Sequence, residues 1–121
     1  DGQHQDLSRQ QMSAPHHTEA ALPAVFAALA DPTRLMLIER LGDGESRSIA
    51  ALSRNGVITR QAVTKHLAVL EQAGLVRRER AGRESLYRLH PAPLTDARAY
   101  LESVALQWED ALQRLKRFVE D

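Results

Sequence analysis

A mainly α-helical domain carrying one small β-hairpin is the fold class that three observations predict. Apolar residues recur at helical spacing from Thr18 to Ala73. Two short, partly apolar segments flank Ala81-Gly82-Arg83, the pattern of a hairpin. From Leu94 to Phe118 the apolar residues keep a regular 3-4 spacing, which one long helix satisfies.

Residues 1–17, DGQHQDLSRQQMSAPHH, are polar and aperiodic, so they bury too little surface to offset chain entropy and are expected to be a disordered tail. Met12 within it marks an alternative native start, and His4, His16 and His17 read as incidental tail residues. Residues 18–121 form the domain. Its first helix is predicted over Thr18–Ala30, with Leu22, Val25, Phe26 and Leu29 on one stripe and Pro23 near the start, where a missing N–H costs nothing. Asp31-Pro32 restarts the chain as cap and first helical residue. That second helix is expected to run to Leu41, bury Leu35, Ile38 and Leu41, and stop at Gly42. Ser48 caps a short third helix through Arg54 that buries Ile49 and Leu52, and Asn55-Gly56 breaks it.

The fourth helix, Thr59–Gly74, is the centre of the functional reading. The Thr59 hydroxyl can accept from an otherwise unpaired N–H, and Gly74 reaches a left-handed conformation cheaply. Val63, Leu67 and Leu70 make the buried face. Arg60, Gln61, Thr64 and Lys65 are left for solvent in the first two turns, with side chains suited to base edges and phosphates. Alone, this pattern also fits an ordinary solvated helix face.

Leu75–Arg80 and Glu84–His90 are the hairpin strands, with Gly82 supplying the positive φ of a tight turn. Arg77, Arg78, Arg80 and Arg83 crowd its tip; they can serve as edge protection or as anion contacts. Pro91 and Pro93 end the second strand. The last helix is predicted over Leu94–Val119, with a seam of Leu94, Ala97, Leu101, Val104, Trp108, Ala111, Leu115 and Phe118. A body of this size cannot cover so long a stripe, so Leu94, Leu101, Val104, Trp108, Leu115 and Phe118 are expected to form a homodimer interface.

Charge separates the segments. Formal net charge is zero over 121 residues, yet residues 53–88 hold eight basic against three acidic groups, net +5. The flanking segments are net −3 and −2. A localised basic patch is the electrostatic footprint of a DNA-binding surface. Hydrophobic residues make up 43% of the chain but only five are Phe, Trp or Tyr, so aliphatic side chains must build the core. The absence of cysteine excludes disulfides and thiolate metal or redox chemistry. No apolar run approaches the ~18 residues of a membrane span, and a cytoplasmic protein without membrane association is expected.

A short helix, a turn and a helix with polar early residues make a helix-turn-helix, whose second helix reads the major groove. A basic hairpin directly after it makes a wing. Two other classes compete. A winged helix used only for protein–protein assembly requires an apolar recognition face, and Arg60, Gln61, Thr64 and Lys65 speak against that. An enzyme requires a catalytic constellation, and His66 beside Lys65 has neither a nucleophile motif nor a glycine-rich phosphate loop. No catalytic residue, metal site or cofactor is expected.

The stretches FAALADPTRLMLIERL (Phe26–Leu41), RQAVTKHLAVLEQAGLV (Arg60–Val76) and RRERAGRESLYRL (Arg77–Leu89) resemble the ArsR-type winged-helix transcriptional regulators. The resemblance extends from Leu22 to the C-terminus. It implies a dimeric repressor of four helices, a two-stranded hairpin wing and a long C-terminal dimerisation helix, binding a palindromic double-stranded DNA operator. By matching position, Arg60, Gln61, Thr64, Lys65 and His66, with Thr59 at the cap, would contact DNA through helix 59–73. Arg80, Gly82 and Arg83 would form the tip of the wing 77–88. The chain departs from metal-sensing members, which carry a cysteine pair near the third helix: here Glu45–Leu52 is ESRSIAAL. Members that bind zinc on their C-terminal helices use histidine there; this helix has Asp96, Glu102, Glu109 and Asp110 but no histidine. Zinc prefers imidazole or thiolate ligands, so metal sensing is not expected. A small-molecule effector of unknown kind stays open as a partner.

Overall fold

Asp31 and Pro32 separate the first two helices, and the computed structural model, which describes residues 21–54 and 56–120, shows how sharply. Helix α1 (Ala21–Leu29) and helix α2 (Pro32–Arg40) meet at 97°. The Asp31 carboxylate accepts the Arg34 N–H at 3.0 Å and Pro32 begins the helix, as an N-cap and first-turn proline should. The expected tail 1–17, the first turn 18–20 and Asn55 lie outside the described residues.

Strand β1 (Arg47–Ser48) was not expected: the hairpin is part of a three-stranded sheet. Arg47 pairs with Tyr87 and Ser48 with Leu86, so the order is β1-β3-β2. Two residues carry no readable alternation; only their pairing reveals the strand. Ser48 then caps helix α3 (Ile49–Leu52) by accepting the Ala51 N–H at 3.1 Å. The helix ends at Leu52 rather than Arg54, where the Ser53 hydroxyl donates back to the Ile49 carbonyl at 3.0 Å.

Helix α4 (Arg60–Gln72) ends as its glycine predicts. Gly74 has φ +80°, its N–H reaches the Glu71 carbonyl at 3.0 Å and the Leu75 N–H reaches the Leu70 carbonyl at 2.9 Å. Those two bonds define a Schellman motif. Strands β2 (Val76–Ala81) and β3 (Glu84–Leu89) follow, with Ala81 opposite Glu84. Gly82 at φ +66° is the first of the two turn residues, the position where a hairpin turn of this length needs glycine.

The core is aliphatic. Leu22, Val25 and Ala28 of α1, Leu37 and Leu41 of α2, Leu52, and Val63, Leu67 and Leu70 of α4 close on Leu75, Val76, Tyr87 and Ala97. Leu35 corrects the expected α2 face: it is 44% exposed, while Leu37 is fully buried. The restart at Pro32 sets the phase so that Leu37 and Leu41, four residues apart, face inward. Leu35 lies about 200° around the helix from Leu37.

Helix α5 (Ala92–Glu120) begins two residues earlier than expected. Pro93 sits within its first turn, where its missing N–H has no intrahelical partner to lose. Ala97 is buried and Leu94 packs against the core; beyond them, Arg98 to Asp110 and Leu112 to Glu120 are exposed. Phe26 and Tyr100, with ring centroids 6.1 Å apart, are the last aromatic contact between this helix and the body.

Candidate nucleic-acid interface

The recognition face of α4 is defined by what its other face buries. Thr59 accepts the Ala62 N–H at 3.0 Å and starts the helix in extended backbone geometry. Val63, Leu67 and Leu70 are fully buried, which turns Arg60, Gln61, Thr64 and Lys65 outward together. None of Arg60, Gln61 and Lys65 is held by a side-chain bond among the described residues, so all three keep their donors for a ligand. Thr64 differs: its hydroxyl donates to the Arg60 carbonyl at 2.8 Å, leaving its oxygen lone pairs and methyl group outward.

His66 points elsewhere. Its side chain is 24% exposed, its Nδ1 lies 3.1 Å from Nη1 of Arg34 and 3.9 Å from the Asp31 carboxylate. Arg34 also donates to the carbonyls of Ala28 at 2.6 Å and Ala27 at 3.4 Å. The Asp31 carboxyl is held below its ordinary value, chiefly by the Arg34 backbone N–H, against partial desolvation. His66 therefore ties α4 to the α1–α2 junction, where it is half-buried. Arg34 was not singled out as a structural residue from the sequence; the four-residue string DPTR was the only signal of it.

The wing stands beside the start of α4. A hollow of about 220 Å³ is lined by Ser48, Ile49, Ala50, Arg60, Glu84 and Ser85, so Arg60 and the hairpin share one side of the molecule. Arg80, Gly82 and Arg83 are exposed at the tip. Arg77 lies opposite Arg88 in the ladder, a like-charge pair that is unfavourable by itself. Arg78 turns back toward Glu71 of α4 at 4.0 Å.

The seam residues divide into two groups. Leu94 belongs to the chain's own core, whereas Leu101, Val104, Trp108, Leu115 and Phe118 are 42 to 80% exposed. Tyr100, Leu112 and Val119 widen the same stripe and were missed because a strict 3-4 count skips them. Helical angle rather than interval would have found them.

Among the described residues no three His, Cys, Asp or Glu side chains are grouped to hold an ion. In the turn after α2, the Arg47 guanidinium donates to both carboxylate oxygens of Asp43, at 2.7 and 2.9 Å.

Comparison with known proteins agrees with this geometry. Residues 29–79 match the family described as a helix-turn-helix domain. The HTH-type transcriptional regulator YuzN of Bacillus subtilis is 36% identical over 77 residues, 59% of this chain and 84% of that protein. The HTH-type transcriptional regulator NmtR of Mycobacterium tuberculosis is 37% identical over 97 residues, 76% of this chain and 80% of that one. Among solved structures, an ArsR-like transcriptional regulator from Rhodococcus sp. RHA1 superimposes with a TM-score of 0.73 at 36% identity, covering 84% of this chain and 95% of its own.

Proposed function

The chain belongs to the ArsR-type winged helix-turn-helix transcriptional regulators, a DNA-binding family, and we propose that it acts in the cytoplasm as a dimeric repressor of a palindromic operator. One observation carries this reading: α4 presents Arg60, Gln61 and Lys65 outward, on the side where the arginine-rich wing stands, within a segment of net charge +5. Regulation rather than catalysis is the work of this family.

The mechanism follows from the geometry. The exposed stripe of α5 pairs with that of a second copy and places two α4 helices about a two-fold axis, to meet successive major grooves about 34–36 Å apart. Arg60 or Lys65 pairs with guanine and Gln61 with adenine, each good bidentate pair giving roughly 1–3 kcal/mol of discrimination. Arg80 and Arg83, with the backbone at Gly82, neutralise phosphates flanking each half-site. A bound dimer occupies promoter DNA and excludes transcription. The polar character of Arg60, Gln61, Thr64 and Lys65 favours this over an assembly module, which needs an apolar face. A mobility-shift titration with the DNA upstream of its own gene tests it: a discrete complex resistant to random competitor DNA supports the reading, and equal affinity for random DNA contradicts it.

A further inference from the structure

We propose that a cavity distant from the reading residues binds a small zwitterion of the α-amino-acid kind with an apolar side chain. The cavity is an open groove of about 570 Å³ between α1, the end of α4, the root of β2 and the start of α5. That volume lies in the range of small-ligand sites, about 300–1,000 Å³. Its floor is apolar, made by Leu22, Val25, Val76 and Pro93.

Its charged groups select the ligand. Arg78 and Glu71 form a loose ion pair 4.0 Å apart at the rim. Arg77, on the wing wall, donates to Nε2 of His90 at 3.2 Å. Among the described residues neither Arg77 nor Asp96, on the α5 wall, takes part in an ion pair. The cavity thus offers one guanidinium and one carboxylate that take part in no ion pair among the described residues, above an apolar floor. A simple organic acid brings its anion to Asp96 as well as to Arg77, and a simple amine leaves the guanidinium unmatched. An amino acid satisfies both: its carboxylate accepts from Arg77, its ammonium donates to Asp96, and its side chain covers the floor. Charge-assisted bonds of this kind are among the stronger ones available to a small ligand.

The position gives the site a regulatory use, a consequence that rests on the DNA-binding reading above, whereas the binding itself does not. Gly74, which ends α4, and Ala92, which opens α5, both line the cavity. A ligand wedged there sets the angle between the reading helix and the dimer helix.

Calorimetry on the full chain with L-leucine and L-phenylalanine tests the site. Saturable binding at millimolar concentration or below is expected, weakened about tenfold or more, or about 1.4 kcal/mol, by N-acetylation or by amidation of the ligand. Arg77→Met and Asp96→Asn are expected to weaken it equally; thermal melts check that each variant folds, and the analogue series on the unaltered chain decides if one does not. Absence of binding by both amino acids, or analogues that bind as tightly as the parents, overturns the proposal. A change in operator affinity at saturating amino acid supports the regulatory role, and unchanged affinity with binding established removes it. Failure to bind DNA with or without the amino acid counts instead against the repressor reading, and leaves the calorimetric result standing.

Discussion

Nη1 of Arg34 lies 3.1 Å from Nδ1 of His66, joining the start of α2 to the middle of the recognition helix. The same guanidinium caps the carbonyls of Ala27 and Ala28 at the end of α1. One side chain therefore aligns three helices. Arg34→Ala should lower stability by about 1–3 kcal/mol, since it removes the donor to the partly buried Ala28 carbonyl and the contact with His66. His66→Ala should cost less, and a double-mutant cycle by chemical denaturation should show a favourable coupling between the two. Additive losses would mean that the contact contributes nothing.

Base reading and phosphate contact are separable by salt. Gln61→Ala should relax base preference at one position of each half-site, by roughly 1–3 kcal/mol. Arg83→Ala should weaken binding to all sequences and reduce the salt slope by about 1. Titrations on operator and random DNA at several salt concentrations distinguish them; equal losses on both DNAs for Gln61→Ala would contradict its assignment as a base reader.

Trp108, the only tryptophan, is 63% exposed on the uncovered stripe of α5 and so reports on pairing of that stripe. Its emission should shift to the red on dilution as dimers separate. Leu101→Glu or Leu115→Glu places a charge in the seam and should leave monomers at all working concentrations by sedimentation. Dimers that survive both changes would place the interface elsewhere.

The phase of α2 is testable through two leucines. Leu37→Ala removes a fully buried side chain and should cost about 2–5 kcal/mol. Leu35→Ala, at a 44% exposed position, should cost under about 1 kcal/mol. The reverse order in urea melts would restore the face expected from sequence.

Acid should loosen the turns around two carboxylates. The Arg47 guanidinium, bonded at 2.7 and 2.9 Å, and then the Glu45 N–H hold the Asp43 carboxyl well below its ordinary value of 3.8. Asp31 is also held below 3.8. A depressed folded-state value stabilises the fold above the unfolded value, and that stability is lost as pH falls through and below it. The melting temperature should therefore fall as pH drops below about 4, and Asp43→Asn should flatten part of that slope. A slope unchanged by Asp43→Asn would show that the pair with Arg47 does not persist in solution.

Local chemistry was legible in the sequence, and what depends on distant neighbours was not. Asp31, Ser48, Thr59 and Gly74 could be placed because a cap or a left-handed residue acts within a few positions of itself. Val63, Leu67 and Leu70 followed from spacing alone. Strand β1 escaped because its identity rests on Tyr87 and Leu86, some 40 residues away in the chain. Leu35, Ile38 and Leu41 form a regular series, of which Leu41 is buried and Ile38 packs on the core; that Leu37 and not Leu35 completes the inward face depends on how α2 packs in the fold. The contact of His66 with Arg34 joins residues 32 apart in the chain, and spacing within one helix carries no sign of it. Leu94 and Leu101 share one seam in sequence, but the body ends between them.

Hydroxyl-radical footprinting of the DNA upstream of its own gene tests the central claim most directly. The account predicts two protected half-sites related by a two-fold axis, with centres one helical turn of about 10–10.5 base pairs or a multiple apart. Protection should disappear when Gln61 and Lys65 are both replaced by alanine. A footprint that persists in that variant, or no protected site there or elsewhere in the genome, would contradict it.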